Sequence, residues 1–82
     1  MMQEPTAEMV VAMLREEGIA DVAMDFDANG NLFEAGMDSM AVMQLIVVVE
    51  ERFGAVISPA DADRENLETP AALARLIGGK MT

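Results

Sequence analysis

The stretch DFDANGNLFEAGMDSM contains two groups of side chains that suggest different chemistry. It begins with Asp25, Asp27 and Asn29, whose oxygens are spaced as in a calcium-binding loop. It ends with Asp38 and Ser39, which lie where a helix is expected to begin. A serine at such a position commonly caps the helix, but its hydroxyl is also a place where a group can be attached. The stretch therefore predicts either a metal loop or an attachment site.

The calcium interpretation depends on the twelfth position of the loop, which normally supplies a bidentate Glu. Counted from Asp25, Gly30 is the glycine that the template requires, but Gly36 occupies the twelfth position and the nearest acidic residues are out of register. Asp, Asn and Gly also form tight turns readily. We interpret the stretch as a turn and keep an EF-hand-like calcium module, using Asp25, Asp27 and Asn29, as an alternative.

The residue types in the chain limit the chemistry that it can perform unaided. The 82 residues include no Cys, His, Tyr or Trp. Disulfides, thiolate nucleophiles and Cys-ligated zinc are therefore excluded, and the commonest general base is absent. We expect no enzymatic activity, and any chemistry at this chain would use a group that its sequence does not encode.

The net charge of −10 indicates which partners the chain can bind. No Lys or Arg occurs between Glu16 and Glu51, whereas acidic residues recur throughout that segment. Nucleic acid and anionic membranes are poor partners, because like charges repel. Proteins with basic patches are the expected partners, since opposite potentials steer encounter. An acidity that only keeps the protein soluble is the alternative.

The length predicts a single domain over residues 1–82, with a structured core at about 5–78. The N-terminus has no basic region followed by a long apolar run, so no signal peptide is expected. The longest apolar run, LIVVV, is too short to insert across a bilayer. We therefore expect a cytoplasmic monomer.

A first helix is predicted in TAEMVVAMLREEG, with Pro5 in its first turn and Gly18 at its C-terminal cap. Its apolar residues recur at helical spacing and are Met9, Val10, Met13 and Leu14. A long loop follows, from residue 18 to residue 38. A loop of more than about 15 residues is unusual in so small a domain and is often functional.

A second helix is predicted in MAVMQLIVVVEERFG, although its Val run also resembles a buried strand. The helix is favoured because one continuous apolar stripe recurs at helical spacing. The stripe consists of Val42, Leu45, Ile46, Val49 and Phe53. Gly54 follows as the predicted C-cap.

A second stripe on this helix consists of Met40, Met43 and Val47. These residues either complete the core or form a face on which partners dock. Methionine is flexible and polarisable, which suits a surface that meets several partners. Glu50 and Glu51 would add charge that complements basic partner surfaces.

A closing helix is predicted in TPAALARLIGG, with Thr69 as N-cap and Gly78 as C-cap. Pro70 takes its first position, and its buried face contains Leu73, Leu76 and Ile77. The preceding SPADADREN reads as a short helix or turn. The prediction is an all-α, small four-helix bundle of three main helices and one short helix, with a long loop between the first two.

LFEAGMDSM, the aliphatic helix ending in VVVEERFG, and TPAAL together resemble the phosphopantetheine-dependent carrier proteins, which carry acyl, aminoacyl or peptidyl groups. The resemblance is strongest from Leu32 to Ile77. In that family the Ser of the Asp-Ser pair bears a covalent 4′-phosphopantetheine derived from coenzyme A. Carried over by position, that residue is Ser39, with Asp38 and Gly36 beside it in the motif. Met40 stands where the family commonly has Leu, a swap of similar volume.

The resemblance implies a discrete, non-catalytic carrier that holds acyl or aminoacyl cargo as a thioester and delivers it to partner enzymes. It implies three kinds of partner: a phosphopantetheinyl transferase, an acyl- or aminoacyl-activating ligase, and downstream transferases with basic surfaces. Fatty acid or secondary metabolite biosynthesis is the expected setting. The helix after the attachment Ser is the family's usual recognition element, which favours the docking interpretation of Met40, Met43 and Val47. A non-catalytic helical adaptor is the remaining alternative.

The stretch DRENLETP is similar to the Asp-Arg and Thr-Pro spacing of the D-alanyl carrier group, which works with an amino-acid-activating ligase. Leu67 stands where that group tends to have Trp. The same residues also suit a helix turn followed by a cap at Thr69. The cargo therefore stays open between a fatty acyl group, an amino acid and another acyl group.

Overall fold

The computed structural model describes residues 5–81, and within them every regular element is a helix. In chain order the helices are α1 (Ala7–Glu16), α2 (Ser39–Phe53), α3 (Arg64–Leu67) and α4 (Pro70–Lys80). The predicted all-α fold is confirmed, including its three main helices, its one short helix and the long loop before α2. None of the helices in this part of the chain is long and apolar enough to span a bilayer.

The first helix begins at the side chain of Thr6, whose Oγ1 accepts a hydrogen bond from the Met9 N–H group at 3.1 Å. Pro5 therefore precedes the cap, and its predicted place in the first turn is wrong. The helix ends as predicted, because Gly18 has a φ of +67° just beyond the cap residue. Its buried face differs from the predicted one: Met9 is 42% exposed, whereas Val11 is buried.

The second helix is capped by Asp38 at its start and by Gly54, at a φ of +66°, at its end. Of the predicted apolar stripe, Leu45 and Val49 are buried. The other three members are only partly buried and pack against the core: Val42, Ile46 and Phe53. Val48 is buried although it lies outside the predicted stripe.

The closing helix begins as predicted, with Thr69 Oγ1 accepting a hydrogen bond from the Ala72 N–H group at 3.0 Å and Pro70 in the first turn. The predicted end of this helix at Gly78 is wrong, because α4 continues to Lys80. The last residue of α4, Lys80, forms an ion pair of 2.7 Å between its Nζ and Asp61 Oδ2. Leu76, predicted as buried, is only partly buried against the core.

The core is made entirely of apolar side chains from all four helices and from the loops between them. No polar or charged side chain is buried among residues 5–81. α4 packs against both α1 and α3, and the buried residues of α2 join the same core cluster. The folded chain measures 30 × 25 × 20 Å, so every loop lies close to this core.

The ends of α1 and α2 are joined by polar contacts. Arg52 near the end of α2 forms ion pairs with Glu16 and Glu17, at 2.7 and 3.0 Å. The hydrogen bond to Glu16 raises the pKa of Arg52 further above its usual value. Gln44 Nε2 donates a hydrogen bond of 3.0 Å to the carbonyl oxygen of Glu17. These contacts orient α2, and with it the start of that helix, relative to α1.

Candidate functional site

The long loop before α2 is tied to the segment that joins α3 and α4. The N–H group of Leu32 donates to the carbonyl oxygen of Glu68 at 2.7 Å, and Asn31 Nδ2 donates to the carboxylate of the same residue at 2.9 Å. Leu32 and Met37 are both buried, so the segment between them is anchored at each end. The loop is thus held in one path as it approaches α2.

Gly36 gives this path its final turn. Its φ is +97°, a conformation that side-chain-bearing residues rarely adopt. Outside Gly36 and its two chain neighbours, no atom lies within 4 Å of the position that a Cβ would take, so Gly36 is required by its backbone conformation and not by lack of space. The following residue, Met37, enters the core, and the chain then emerges at Asp38. Gly36 therefore contributes to the predicted site through its backbone conformation.

Asp38 and Ser39 occupy consecutive positions with different roles. Asp38 is the N-cap, because its Oδ1 accepts a hydrogen bond from the Ala41 N–H group at 2.9 Å. Ser39 is the first residue of α2, and it is exposed. Its hydroxyl makes no hydrogen bond to any other described residue. The capping role that the sequence allowed for Ser39 is therefore wrong, since the preceding carboxylate performs it.

Ser58, the other serine of the chain, has a different environment. Its hydroxyl donates a hydrogen bond of 2.6 Å to Asp61 Oδ2, and the residue is partly buried. The hydrogen bond from Lys80, together with that from Ser58, lowers the pKa of Asp61 to about 2. The Ser58 hydroxyl is thus bound to a charged partner, whereas that of Ser39 makes no hydrogen bond to another described residue.

A groove of about 490 Å³ opens beside Ser39, between α2, α3 and the loop. Its lining residues are Phe33, Asp38, Ser39, Val42, Ala62, Arg64 and Leu67. The guanidinium carbon of Arg64 lies 4.7 Å from the centre of the Phe33 ring. Sequence reasoning missed this pair, because the two residues belong to separate elements. The only signal was the Asp-Arg pair that begins the DRENLETP stretch.

The outward stripe of α2 is exposed. Met40, Met43 and Val47 are 79%, 69% and 54% exposed, and Glu50 and Glu51 are exposed one turn further along. The alternative that this stripe completes the core is therefore wrong. An apolar strip bordered by carboxylates lies next to Ser39 and extends along the helix.

The residues of the calcium-loop alternative are used in turns. Asp27 Oδ1 accepts a hydrogen bond from the Asn29 N–H group at 2.7 Å, and Asp25 and Asn29 are exposed. Asn31 Oδ1 accepts from the N–H groups of Phe33 and Glu34. In residues 5–81 no three acidic side chains are grouped as they would be around a metal ion.

Two comparisons with known proteins bear on this site. Residues 8–77 match the protein family described as phosphopantetheine attachment site. The chain is also 37% identical over 73 residues to the lincomycin biosynthesis protein LmbN of Streptomyces lincolnensis. That alignment covers 88% of this chain and 26% of LmbN, so the chain spans about a quarter of the length of its relative.

Proposed function

The chain belongs to the phosphopantetheine attachment site family, and on that premise we propose that Ser39 carries the 4′-phosphopantetheine arm. Proteins of this family are carriers, so the chain is a substrate of partner enzymes and catalyses no reaction itself. The covalently bound arm supplies a thiol, which holds acyl cargo as a thioester and which this Cys-free chain does not encode. The observation that carries the proposal is the exposed hydroxyl of Ser39, which has no hydrogen bond to another described residue.

The surroundings of Ser39 fit a phosphodiester. The first N–H groups of a helix lack partners within the helix and carry partial positive charge, which favours an anion there. Asp38 accepts a hydrogen bond from the Ala41 N–H group, so its carboxylate is already engaged in capping. The open groove beside Ser39 leaves space for a group attached to its hydroxyl. Ser58 offers no comparable site, because its hydroxyl is held by Asp61.

The test is covalent modification with a matched serine control. Apo protein would be incubated with coenzyme A, magnesium and a broad-specificity phosphopantetheinyl transferase, and its intact mass recorded. We expect wild type and Ser58→Ala to gain one phosphopantetheine and Ser39→Ala to gain none. No gain in wild type with several competent transferases would contradict the function, and a gain in Ser39→Ala would contradict the assigned residue.

We further propose that the exposed stripe Met40, Met43 and Val47 is the surface on which partner enzymes dock. Its exposure next to Ser39 supports this role, because an enzyme acting on the arm must approach this end of α2. Glu50 and Glu51 extend the same face with negative charge. The partners would be a phosphopantetheinyl transferase, an activating ligase and downstream transferases with basic surfaces.

We base the proposal for the cargo on the relative LmbN and not on the DRENLETP stretch. Asp63 caps α3 through the Asn66 N–H group, and Thr69 caps α4, so these residues have structural uses independent of any cargo. The name of LmbN supports a place in the biosynthesis of a secondary metabolite for this chain as well. We therefore propose an acyl or aminoacyl building block of such a pathway as the cargo.

A further inference from the structure

The chain has only five cationic residues, and their placement is uneven. Arg52 is paired with Glu16 and Glu17, and Lys80 is paired with Asp61. Arg15, Arg64 and Arg75 form no ion pair with any described carboxylate, and of these three Arg64 lines the groove that also contains Ser39. This arginine lies in the same groove as the Ser39 hydroxyl and has no ion-pair partner among the described residues, so it is available to bind an anion.

Two carboxylates close to Arg64, one in the groove and one preceding it in the sequence, act as helix caps, and no described carboxylate, including that of the neighbouring Glu65, forms an ion pair with Arg64. Asp38 Oδ1 accepts the Ala41 N–H hydrogen bond, and Asp63 Oδ1 accepts that of Asn66 at 2.9 Å. Both carboxylates act as helix caps, and neither forms an ion pair with Arg64 among residues 5–81. The guanidinium therefore keeps its hydrogen-bonding capacity.

The ring of Phe33 restricts where the Arg64 side chain lies. The guanidinium is planar, and with its carbon 4.7 Å from the ring centre it is attracted to the aromatic face. That contact leaves the N–H groups at the edge of the plane available, and their fork geometry matches two oxygens of a phosphate. Phe33 is itself partly buried and packs against the core, which supports the ring that the guanidinium contacts.

We propose that Arg64 binds the phosphodiester of the arm on Ser39 and so positions the start of the arm in this groove. This proposal rests on the function proposed above, because it requires the arm to be on Ser39. It adds a positioning residue from α3 to a site otherwise made by the loop and α2. Besides Ser39 and the capping carboxylate of Asp38, the groove is lined by apolar residues, including Val42 and Leu67, so Arg64 is its one cation among the described residues.

The test is nuclear magnetic resonance of the apo and holo proteins, which reports on the phosphate without any partner enzyme. The ³¹P resonance of holo wild type would be compared with those of holo Arg64→Gln and holo Arg75→Gln. Arg75 is the matched control, because it is exposed on α4 and lines a separate groove that lacks Ser39. The Nε–Hε signal of Arg64 would also be followed from apo to holo wild type.

We expect the ³¹P resonance to shift in Arg64→Gln and to stay at the wild-type position in Arg75→Gln. The Arg64 Nε–Hε signal should shift between the apo and holo proteins more than that of any other arginine, and its exchange with water should slow several-fold. Unchanged ³¹P and Nε–Hε signals in a protein whose mass shows the arm would overturn the inference and leave the function intact. Slower loading of Arg64→Gln with an unchanged ³¹P signal would also overturn it, since Arg64 would then contact the transferase. A wild-type protein that never gains the arm would overturn both proposals.

Discussion

Asp38 positions Ser39, because its carboxylate caps α2 one residue ahead of the Ser39 hydroxyl, the proposed attachment point. A cap residue has extended backbone, here with a φ of −103° and a ψ of −173°, whereas the residue after it is helical. The hydroxyl of Ser39 is consequently not needed by the helix. Asp38 therefore caps the helix, and the Ser39 hydroxyl stays available for the modification that we propose.

Replacing Asp38 by Ala should lower the free energy of unfolding by about 1 kcal/mol, the usual value of an N-cap hydrogen bond. Asp38→Asn should retain most of the stability, because its amide oxygen can accept the same hydrogen bond from Ala41. Urea denaturation of the two apo variants and wild type measures the difference. Equal stability of Asp38→Ala and wild type would show that the cap contributes nothing.

The two faces of α2 have different environments, one buried and one exposed. Leu45, Val48 and Val49 face the core, and the exposed stripe of Met40, Met43 and Val47 lies on the other side. The stripe therefore contributes little to folding. Its apolar surface is available to a partner that approaches Ser39.

Met43→Glu and Val47→Arg should change the free energy of unfolding by no more than roughly 0.5 kcal/mol, because both positions are exposed. Both should lower kcat/KM for loading by the transferase on the order of tenfold, which corresponds to about 1.4 kcal/mol of lost contact. Thermal melts and intact-mass time courses measure the two effects. Met24→Glu is the control, since Met24 is 67% exposed in the loop, close to the 69% of Met43.

A sharp drop in the melting temperature of both α2 variants would contradict the exposure of the stripe. Preserved melting with unchanged loading would leave the stripe exposed but remove its docking role. An equal loss of loading in Met24→Glu would mean that added negative charge, and not lost apolar contact, slows the transferase.

The end of α4 depends on the ion pair of Lys80 with Asp61, which lies in the turn before α3. The pKa of Asp61 is lowered from 3.8 to about 2, first by the hydrogen bond from Lys80 and then by that from Ser58. A carboxyl group whose pKa is lowered by folding stabilises the folded state above its unfolded pKa. That contribution disappears as the pH falls through the folded pKa.

Asp61→Asn should therefore be less stable than wild type at neutral pH, and the difference should shrink as the pH falls from 3.8 to about 2. Urea denaturation over a pH series measures this difference directly, and Lys80→Ala should show the same trend. A difference between wild type and Asp61→Asn that does not change with pH would exclude the ion pair as its cause.

For the molecule as a whole, the elements were predictable because their signals are local. Thr69-Pro70 marks the start of α4, and Gly54 marks the end of α2, each through backbone conformations that one or two residues decide. The preference for a helix over a strand at α2 was also decided locally, by the spacing of its apolar residues. The Asp-Ser motif and the elements around it predict Ser39 as the attachment residue, which stays a prediction.

Features made by residues distant in sequence were not predictable in the same way. Past Gly78, α4 reaches Lys80, which forms an ion pair with Asp61, and the groove that contains Ser39 brings together Phe33 and Arg64. Glycine permits a helix to end but does not force it to do so. These features depend on how α3 and α4 pack against the loop, which spacing along one element does not reveal.

The measurement that tests the central claim most directly is peptide mapping of the holo protein after cleavage with trypsin. Cleavage after Arg15 and Arg52 releases residues 16–52, a peptide in which Ser39 is the only hydroxyl-bearing residue. Ser58 falls in the next peptide, residues 53–64. We predict that the mass of phosphopantetheine appears on peptide 16–52 alone, and that fragmentation places it on Ser39. Its appearance on peptide 53–64, or on no peptide of a protein treated with competent transferases, would contradict the account.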